Sequence, residues 1–112
     1  MTELTDKKCL PCEGGATPLQ RAAAEALMAR LHADWTLDAE GATIRRRFKF
    51  KDYHHTMAFV NAVAWIAHAE DHHPDMDVGW GACTVQYATH AISGLSENDF
   101  ICAAKIDALI TP

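Results

Sequence analysis

Long hydrophobic runs are missing from this sequence. No stretch of its 112 residues approaches the roughly 18 consecutive apolar positions of a membrane-spanning helix, so we expect none. The N-terminal stretch MTELTDKKCLPCEGG is polar and lacks the apolar segment of a signal peptide. The sequence therefore predicts a cytoplasmic protein.

An excess of positive charge is also missing. The chain has 10 Lys and Arg against 15 Asp and Glu, and its formal net charge is -5. Surfaces that bind nucleic acid or anionic membranes need clustered positive charge. We therefore expect neither a nucleic-acid partner nor a membrane partner.

Cysteine is scarce, and its spacing does not match a structural zinc site. Cys9 and Cys12 form one CxxC, whereas Cys83 and Cys102 stand apart. A structural zinc ion needs four ligands, and a redox CxxC normally opens a helix after a strand. We therefore expect residues 1–16 to form an ordered N-terminal arm with reduced thiols, and the role of its two cysteines stays open.

Helix signals recur at three places in the rest of the chain. Thr17 as N-cap predicts a helix over about 18–32. Asp52 as N-cap predicts a second, very apolar helix to about Ala69, which we expect to be the central core helix. Ser96 predicts the start of the last helix. The predicted inner face of that helix holds Phe100, Ala103, Ala104, Ile106 and Ile110.

Two predicted hairpins fill the gaps between these helices. The first turns at Glu40-Gly41, and its second strand places Arg46 on the same face as Phe48. Its basic residues Arg45, Arg47 and Lys49 indicate a solvated face. The alternative is that Arg46 or its neighbours contact an anionic ligand or a partner. The second hairpin covers MDVGWG and CTVQYAT. The order α-β-β-α-β-β-α predicts an α+β domain over 17–112, a four-stranded antiparallel sheet with three helices on one face.

Histidine is abundant, and two histidines adjoin a proline. His72 and His73 directly precede Pro74, and helices usually end at or before the residue that precedes a proline. A metal site is one interpretation, because His68 and His72 are spaced i, i+4 and either His90 or Asp77 could be a third ligand. The order HAEDH is not the HExxH of metalloproteases, so this spacing is unspecific and we expect no metal.

General acid/base chemistry is the other interpretation. Imidazole titrates near neutral pH, so it can both give and take a proton there. Loss of water next to a nitrogen needs one group to protonate the departing hydroxyl and another to take the N–H proton. Nearby carboxylates such as Asp71 could tune these imidazoles.

The segment EDHHPDMDVGWGACTVQYATHAISGLSENDF resembles the signature of the pterin-4a-carbinolamine dehydratases. The matching pieces are DHHP at 71–74, Thr89-His90, GLS at 94–96 and Asp99. The upstream segment RRRFKFKDYHHTMAFVNAVAWIAHAE is similar to the strand and long helix of that family. The arm KKCLPCEGG resembles the N-terminus of bacterial members, so the resemblance covers nearly the whole chain.

This resemblance implies an enzyme, a hydro-lyase that dehydrates 4a-hydroxytetrahydropterin to quinonoid dihydropterin and so recycles the cofactor of aromatic amino-acid hydroxylases. The pterin is the substrate, and no cofactor is implied. The resemblance also implies a homo-oligomer, a homodimer or homotetramer. A non-catalytic protein-binding or assembly module on the same fold is the alternative.

The resemblance also implies a set of site residues. His72 and His90 would exchange the acid and base roles, and His73 would bind and polarise the pterin. Asp99 would orient a histidine, although at the third position of a helix a capping role is favoured. Substrate-binding positions are Asp71, Pro74, Ala88, Thr89 and Ala91. Met76 and Trp80 depart from the aromatic and the Tyr that many members carry there.

Overall fold

A computed structural model describes residues 3–11 and 17–110. The predicted order of three helices and four strands is confirmed, and the strands form one antiparallel sheet in the order β1-β2-β4-β3. Within the described residues, two single-turn 3-10 helices accompany them, at Leu4–Asp6 and His90–Ile92. The elements are α1 (Arg21–Met28), β1 (Thr36–Leu37), β2 (Ile44–Lys49), α2 (Tyr53–Glu70), β3 (Asp75–Val78), β4 (Ala82–Tyr87) and α3 (Glu97–Ile110).

The sheet has one buried and one exposed face, as the alternation in β2 predicts. Ile44, Arg46 and Phe48 are buried, and the residues between them are exposed. Arg46 pairs with Val85 of β4, so the two side chains share the face that the helices cover. The guanidinium of Arg46 donates to Asp107 Oδ1 of α3 at 2.7 Å. Within the described chain Arg46 therefore pairs with a helix of the core.

The predicted start of the first helix is wrong by three residues. The N-cap is Gln20, whose backbone is extended, and α1 begins at Arg21. Leu19 donates its backbone N–H to the carbonyl of Leu95 at 2.8 Å. This long-range bond holds the segment before α1 extended, and it is not visible in the local capping pattern of Thr17.

The ends of α2 agree with the sequence. Asp52 is its N-cap and accepts a hydrogen bond from the backbone N–H of His55 at 2.8 Å. Its predicted role as the central core helix is wrong, because only Thr56, Phe59 and Val63 are buried, and Trp65 is 68% exposed. The apolar residues of α2 surround the helix, so part of them faces outward.

Helix α3 occupies the central place. All seven of its residues from Asn98 to Ala104 are buried, as is Ile106. It packs against α2 and also against the 3-10 helix Leu4–Asp6 of the N-terminal arm, so more than one of its sides is covered. Ile110 lies in the last turn and is exposed, so the predicted inner face ends earlier than expected.

The described part of the arm lies along α3. Leu4 is buried in the core, and Lys7 forms an ion pair with Glu97 at 2.8 Å. Leu10 exchanges two hydrogen bonds with the side-chain amide of Asn98, at 3.0 and 2.5 Å. In residues 3–11 and 17–110, no helix has the length and apolar character needed to cross a membrane.

Candidate active site

The C-terminal end of α2 presents the His-His-Pro sequence. Asp71 follows the helix with a left-handed backbone (φ 52°), and its N–H bonds back to the carbonyls of Ala67 and His68. His72 donates its backbone N–H to Ala67 at 3.1 Å, which closes the helix end. Pro74 cannot donate a backbone hydrogen bond, and β3 begins directly after it. The chain therefore leaves the helix at His72 and runs extended.

A buried carboxylate from α3 holds the imidazole of His72. Nε2 of His72 lies 2.6 Å from Oδ1 of Asp99, whose side chain is fully buried. The other oxygen of Asp99 accepts from the hydroxyl of Thr89 at 2.8 Å and from the backbone N–H of Ser96 at 3.0 Å. Asp99 therefore both caps α3 and holds the ring of His72. The sequence left both roles open and favoured capping.

This hydrogen-bond pattern favours the tautomer of His72 that carries its proton on Nε2. Oδ2 of Asp99 already accepts two hydrogen bonds, and a carboxylate can only accept at Oδ1 as well, so beside a carboxylate the ring nitrogen Nε2 is the donor. Nδ1 is then the nitrogen of His72 that can take up or release a proton. The ring is also stacked on Tyr87 of β4, with centroids 5.5 Å apart and planes at 10°.

The electrostatic surroundings raise the pKa of His72. Burial alone lowers this pKa, but the hydrogen bond and negative charge of Asp99 outweigh it, and Cys102 and Asp71 add to the increase. The side chain of His72 is only 13% exposed, so these interactions act in a partly dry environment. An imidazole of this kind carries its proton to a higher pH than a free histidine.

One open cavity of about 420 Å³ brings most of the predicted site residues together. Its walls come from the end of α2 and from the loop after β4. Pro74 is not on its wall, and Asp99 lies behind His72. The predicted residues on the wall are Asp71, His72, His73, Ala88, Thr89, His90 and Ala91. Their proximity is observed, and their roles stay predictions.

The other two predicted catalytic histidines are exposed. His90 begins the 3-10 helix after β4, and its Nε2 lies 3.9 Å from Oδ2 of Asp75, beyond hydrogen-bond distance. His73 is exposed at the cavity wall. His72 therefore differs from both, because a buried group fixes its ring.

The N-terminal arm supplies a cavity wall that sequence reasoning missed. Lys8, Cys9, Leu10 and Pro11 line the cavity on the side of α2 and α3. The only sequence signal for this wall is the similarity of the arm to bacterial members of the family. Hydrophobic periodicity carries no information about an irregular segment that is held by the side chains of Asn98 and Glu70.

The part of the chain that the structure describes contains no cluster of side chains that could bind a metal. Among those residues no three His, Cys, Asp or Glu side chains are arranged to hold an ion. His68 is exposed on α2 and lies against the ring of Trp65, with centroids 5.5 Å apart. It is not on the cavity wall that carries His72.

Sequence comparison places this chain among known relatives. Residues 17–109 match the family model described as pterin 4 alpha carbinolamine dehydratase. The chain belongs to this family. A relative from Nitrosomonas eutropha, provisionally named a pterin-4-alpha-carbinolamine dehydratase, is 59% identical over 108 residues, covering 96% of this chain and 94% of that protein. A Legionella pneumophila relative with the same provisional name is 47% identical over 109 residues, covering 97% and 96%.

Solved structures of the pterin dehydratase fold agree with this assignment. A crystal structure of a transcriptional coactivator/pterin dehydratase from Brucella melitensis superposes with a TM-score of 0.79 at 28% identity, covering 85% of this chain and 100% of that one. A pterin dehydratase-like protein, identified as a RuBisCO assembly factor in the alpha-carboxysome, gives a TM-score of 0.61 at 26% identity, covering 70% and 90%. These two solved structures resemble this chain in fold, and their names assign them different roles.

Proposed function

We propose that this protein dehydrates a 4a-hydroxytetrahydropterin to the quinonoid dihydropterin in the cavity beside His72. The observation that carries the proposal is the 2.6 Å contact between His72 Nε2 and the buried Asp99 at the wall of that cavity. A structural histidine at a helix end needs no buried carboxylate behind its ring. A histidine that takes and returns a proton gains a fixed ring orientation and a tuned pKa from such a partner.

The proposed reaction moves one proton to the leaving hydroxyl and removes one from the neighbouring ring nitrogen. The C–O bond breaks as water leaves, and the electrons of the N–H bond form the new C=N bond. Nδ1 of His72 exchanges one of these protons, and His90, across the cavity, exchanges the other. His73 binds the pterin and polarises it. The exposed side chains of His73 and His90 can adjust to the bound substrate, whereas the ring of His72 is held in one orientation.

Acidic and small residues complete the proposed pterin site. Asp71 and the backbone around Ala88 and Ala91 lie on the cavity wall, where polar atoms can meet the amino-pyrimidine edge of a pterin. Thr89 is buried and bonded to Asp99, so it supports the site from behind. The reaction as proposed needs no cofactor, because proton transfer alone completes it.

The proposal extends to the setting of the enzyme. We place it in the cytoplasm, where it would recycle the pterin of aromatic amino-acid hydroxylases. We also propose a homo-oligomer, at least a dimer. The sheet leaves β1 and β3 as open edges, and the face that carries Arg45 and Arg47 is exposed in this chain.

Stopped-flow dehydration of enzymatically generated 4a-hydroxytetrahydropterin tests the reaction. His72→Ala and His90→Ala should each lower kcat by about 10²–10⁴-fold, the usual contribution of positioned proton transfer. His68→Ala is the matched control, since His68 is exposed on α2 and away from the cavity wall, and it should leave kcat unchanged. Unchanged rates in both cavity variants, with circular dichroism showing intact folds, would reject the proposal.

An assembly module is the second candidate function. The similarity to a pterin dehydratase-like protein identified as a RuBisCO assembly factor favours it. An assembly module has no chemical use for a buried carboxylate behind a cavity histidine, which supports the enzyme. Stable capture of a protein partner by a preparation without dehydratase activity would instead support the module.

A further inference from the structure

The arm segment at the cavity is fastened mainly by hydrogen bonds. Cys9 donates its backbone N–H to Oε1 of Glu70 at 2.8 Å, and Glu70 is held in turn by Lys105 at 2.7 Å. Leu10 is bonded through its backbone to the side chain of Asn98. Its own side chain is exposed, and hydrophobic burial therefore adds little at this point. A covalent bond at this point would change how firmly the cavity wall is held.

Two thiols meet under this segment. Sγ of Cys9 lies 3.5 Å from Sγ of Cys102, and both are free thiols. A disulfide needs the sulfurs about 2.05 Å apart, so a shift of about 1.5 Å would join them. Cys9 is half-buried and lines the open cavity, whereas Cys102 is buried in α3. A reagent in the cavity can therefore reach Cys9, and Cys102 lies next to Cys9 on the buried side.

The surroundings divide the chemical roles between the two sulfurs. The hydrogen bond from Cys9 lowers the pKa of Cys102, and the nearby positive charge of His72 lowers it further against the effect of burial. The same hydrogen bond, together with burial, raises the pKa of Cys9. The lowered pKa of Cys102 suits a resolving cysteine, whereas the raised pKa of Cys9 slows its attack, so access from the cavity selects Cys9 as the sulfur that reacts first.

We propose that Cys9 and Cys102 form a reversible disulfide that fixes the N-terminal arm as a wall of the candidate active site, with a low-molecular-weight disulfide as the oxidant. Cys9 reacts first because it is the one of the two sulfurs that lines the cavity: it attacks one sulfur of the oxidant, and its proton passes to the departing sulfur, which leaves as one thiol. The thiolate of Cys102 then attacks the sulfur of Cys9 and releases the second thiol. Two protein thiols are oxidised, and one disulfide is reduced to two thiols.

The linkage would join residues that are far apart in sequence. Ninety-two residues lie between Cys9 and Cys102, and cross-links that close long loops restrict the unfolded chain most. The bond would also hold the backbone around Cys9 against α3, where hydrogen bonds are now the main restraint. Neither consequence depends on dehydratase activity, so both can be measured separately from it.

The test equilibrates the full-length protein with glutathione disulfide, blocks remaining thiols and maps the digested peptides by mass spectrometry. We expect a Cys9–Cys102 linkage in the wild type and in Cys12→Ser, which removes the neighbouring CxxC partner. Cys9→Ser should abolish it, and Cys83, buried in β4, should stay free as an internal control. Cys9 is half-buried, so its serine variant should fold even where Cys102→Ala does not.

Two physical readouts accompany the mapping. Oxidation should raise the Tm of Cys12→Ser by roughly 10 °C or more and slow hydrogen exchange at Cys9 and Leu10 at least about tenfold, with both changes reversed by a dithiol reductant. A map showing only a Cys9–Cys12 bond, only intermolecular bonds or no bond would overturn the proposal. A Cys9–Cys102 bond that leaves Tm and arm exchange unchanged would also overturn it.

Discussion

Helix α2 has a pair of adjacent histidines at each end, and the two pairs differ in what surrounds them. At the start, Nδ1 of His55 lies 2.7 Å from Asp52, three residues away, and its side chain is 54% exposed. Past the end, Nε2 of His72 lies 2.6 Å from Asp99, 27 residues away in sequence and fully buried. Both contacts are short, so the distance between nitrogen and oxygen does not distinguish the two histidine–aspartate pairs.

The two carboxylates differ in how deeply they are buried and in which helix they belong to. Asp52 caps α2, the helix that also carries His55, and water can replace either partner of this exposed pair. Asp99 comes from α3, and its second oxygen is already committed to Thr89 and Ser96. The buried carboxylate of Asp99 therefore fixes the ring of His72. The exposed pair of Asp52 and His55 does not fix a ring in this way.

The largest difference between the two ends should appear in stability. Asp99→Ala removes one partner of a buried, hydrogen-bonded pair and should lower the free energy of unfolding by about 3–5 kcal/mol. Asp52→Ala removes an exposed helix cap, and we expect a clearly smaller loss. Urea denaturation of both variants measures the two changes. Equal losses would show that burial of Asp99 does not matter.

Catalysis should separate the ends next. Asp99→Asn keeps the shape of the side chain but removes the charge that orients His72, so it should lower kcat by about 10- to 10²-fold, part of the benefit of positioned proton transfer. Asp52→Asn lies away from the cavity wall and should leave kcat within about twofold of the wild type. Stopped-flow dehydration assays of the two variants give the comparison. A loss of kcat in both would point to a general effect on folding.

The pH dependence of stability should have opposite signs at the two ends. The folded pKa of His72 is raised, so its pair contributes fully below the unfolded pKa of about 6.5 and is lost as pH rises through the folded pKa. The backbone N–H of His55 lowers the pKa of Asp52, so that contribution is present above the unfolded pKa and is lost as pH falls through the folded one.

The stability gap between wild type and Asp99→Asn should therefore narrow as the solution becomes alkaline. The gap for Asp52→Asn should instead narrow in acid. Chemical denaturation at a series of pH values measures both gaps. Two gaps that change in the same direction would contradict the assigned charge states.

Local sequence signals predicted the fold where the chain obeys local rules. The N-cap at Asp52 and the stop before Pro74 gave both ends of α2, and alternation gave the buried face of β2. The start of α1 was missed because Leu19 bonds to Leu95, far along the chain. The burial of α3 was underestimated for a related reason, since its cover includes an irregular arm.

The candidate site divides in the same way. Resemblance to a family named the histidines, and the fold brings them to one cavity, but their catalytic roles stay predictions. The double role of Asp99 could not be read from a helix cap, because Ser96 is local and His72 is not. The division into an arm at 1–16 and a domain at 17–112 also stays a prediction.

The most direct test measures the pKa of His72 by NMR and compares it with the pKa that limits the reaction. NMR titration of the His72 ring gives its pKa in the wild type and in Asp99→Asn, and the pH profile of kcat/KM gives the pKa of the group that limits dehydration. We expect the two pKa values to agree in the wild type. We also expect both to fall together in Asp99→Asn, because the group that raises the pKa of His72 has lost its charge. A kinetic pKa that stays fixed while the pKa of His72 falls would contradict the proposed role of His72.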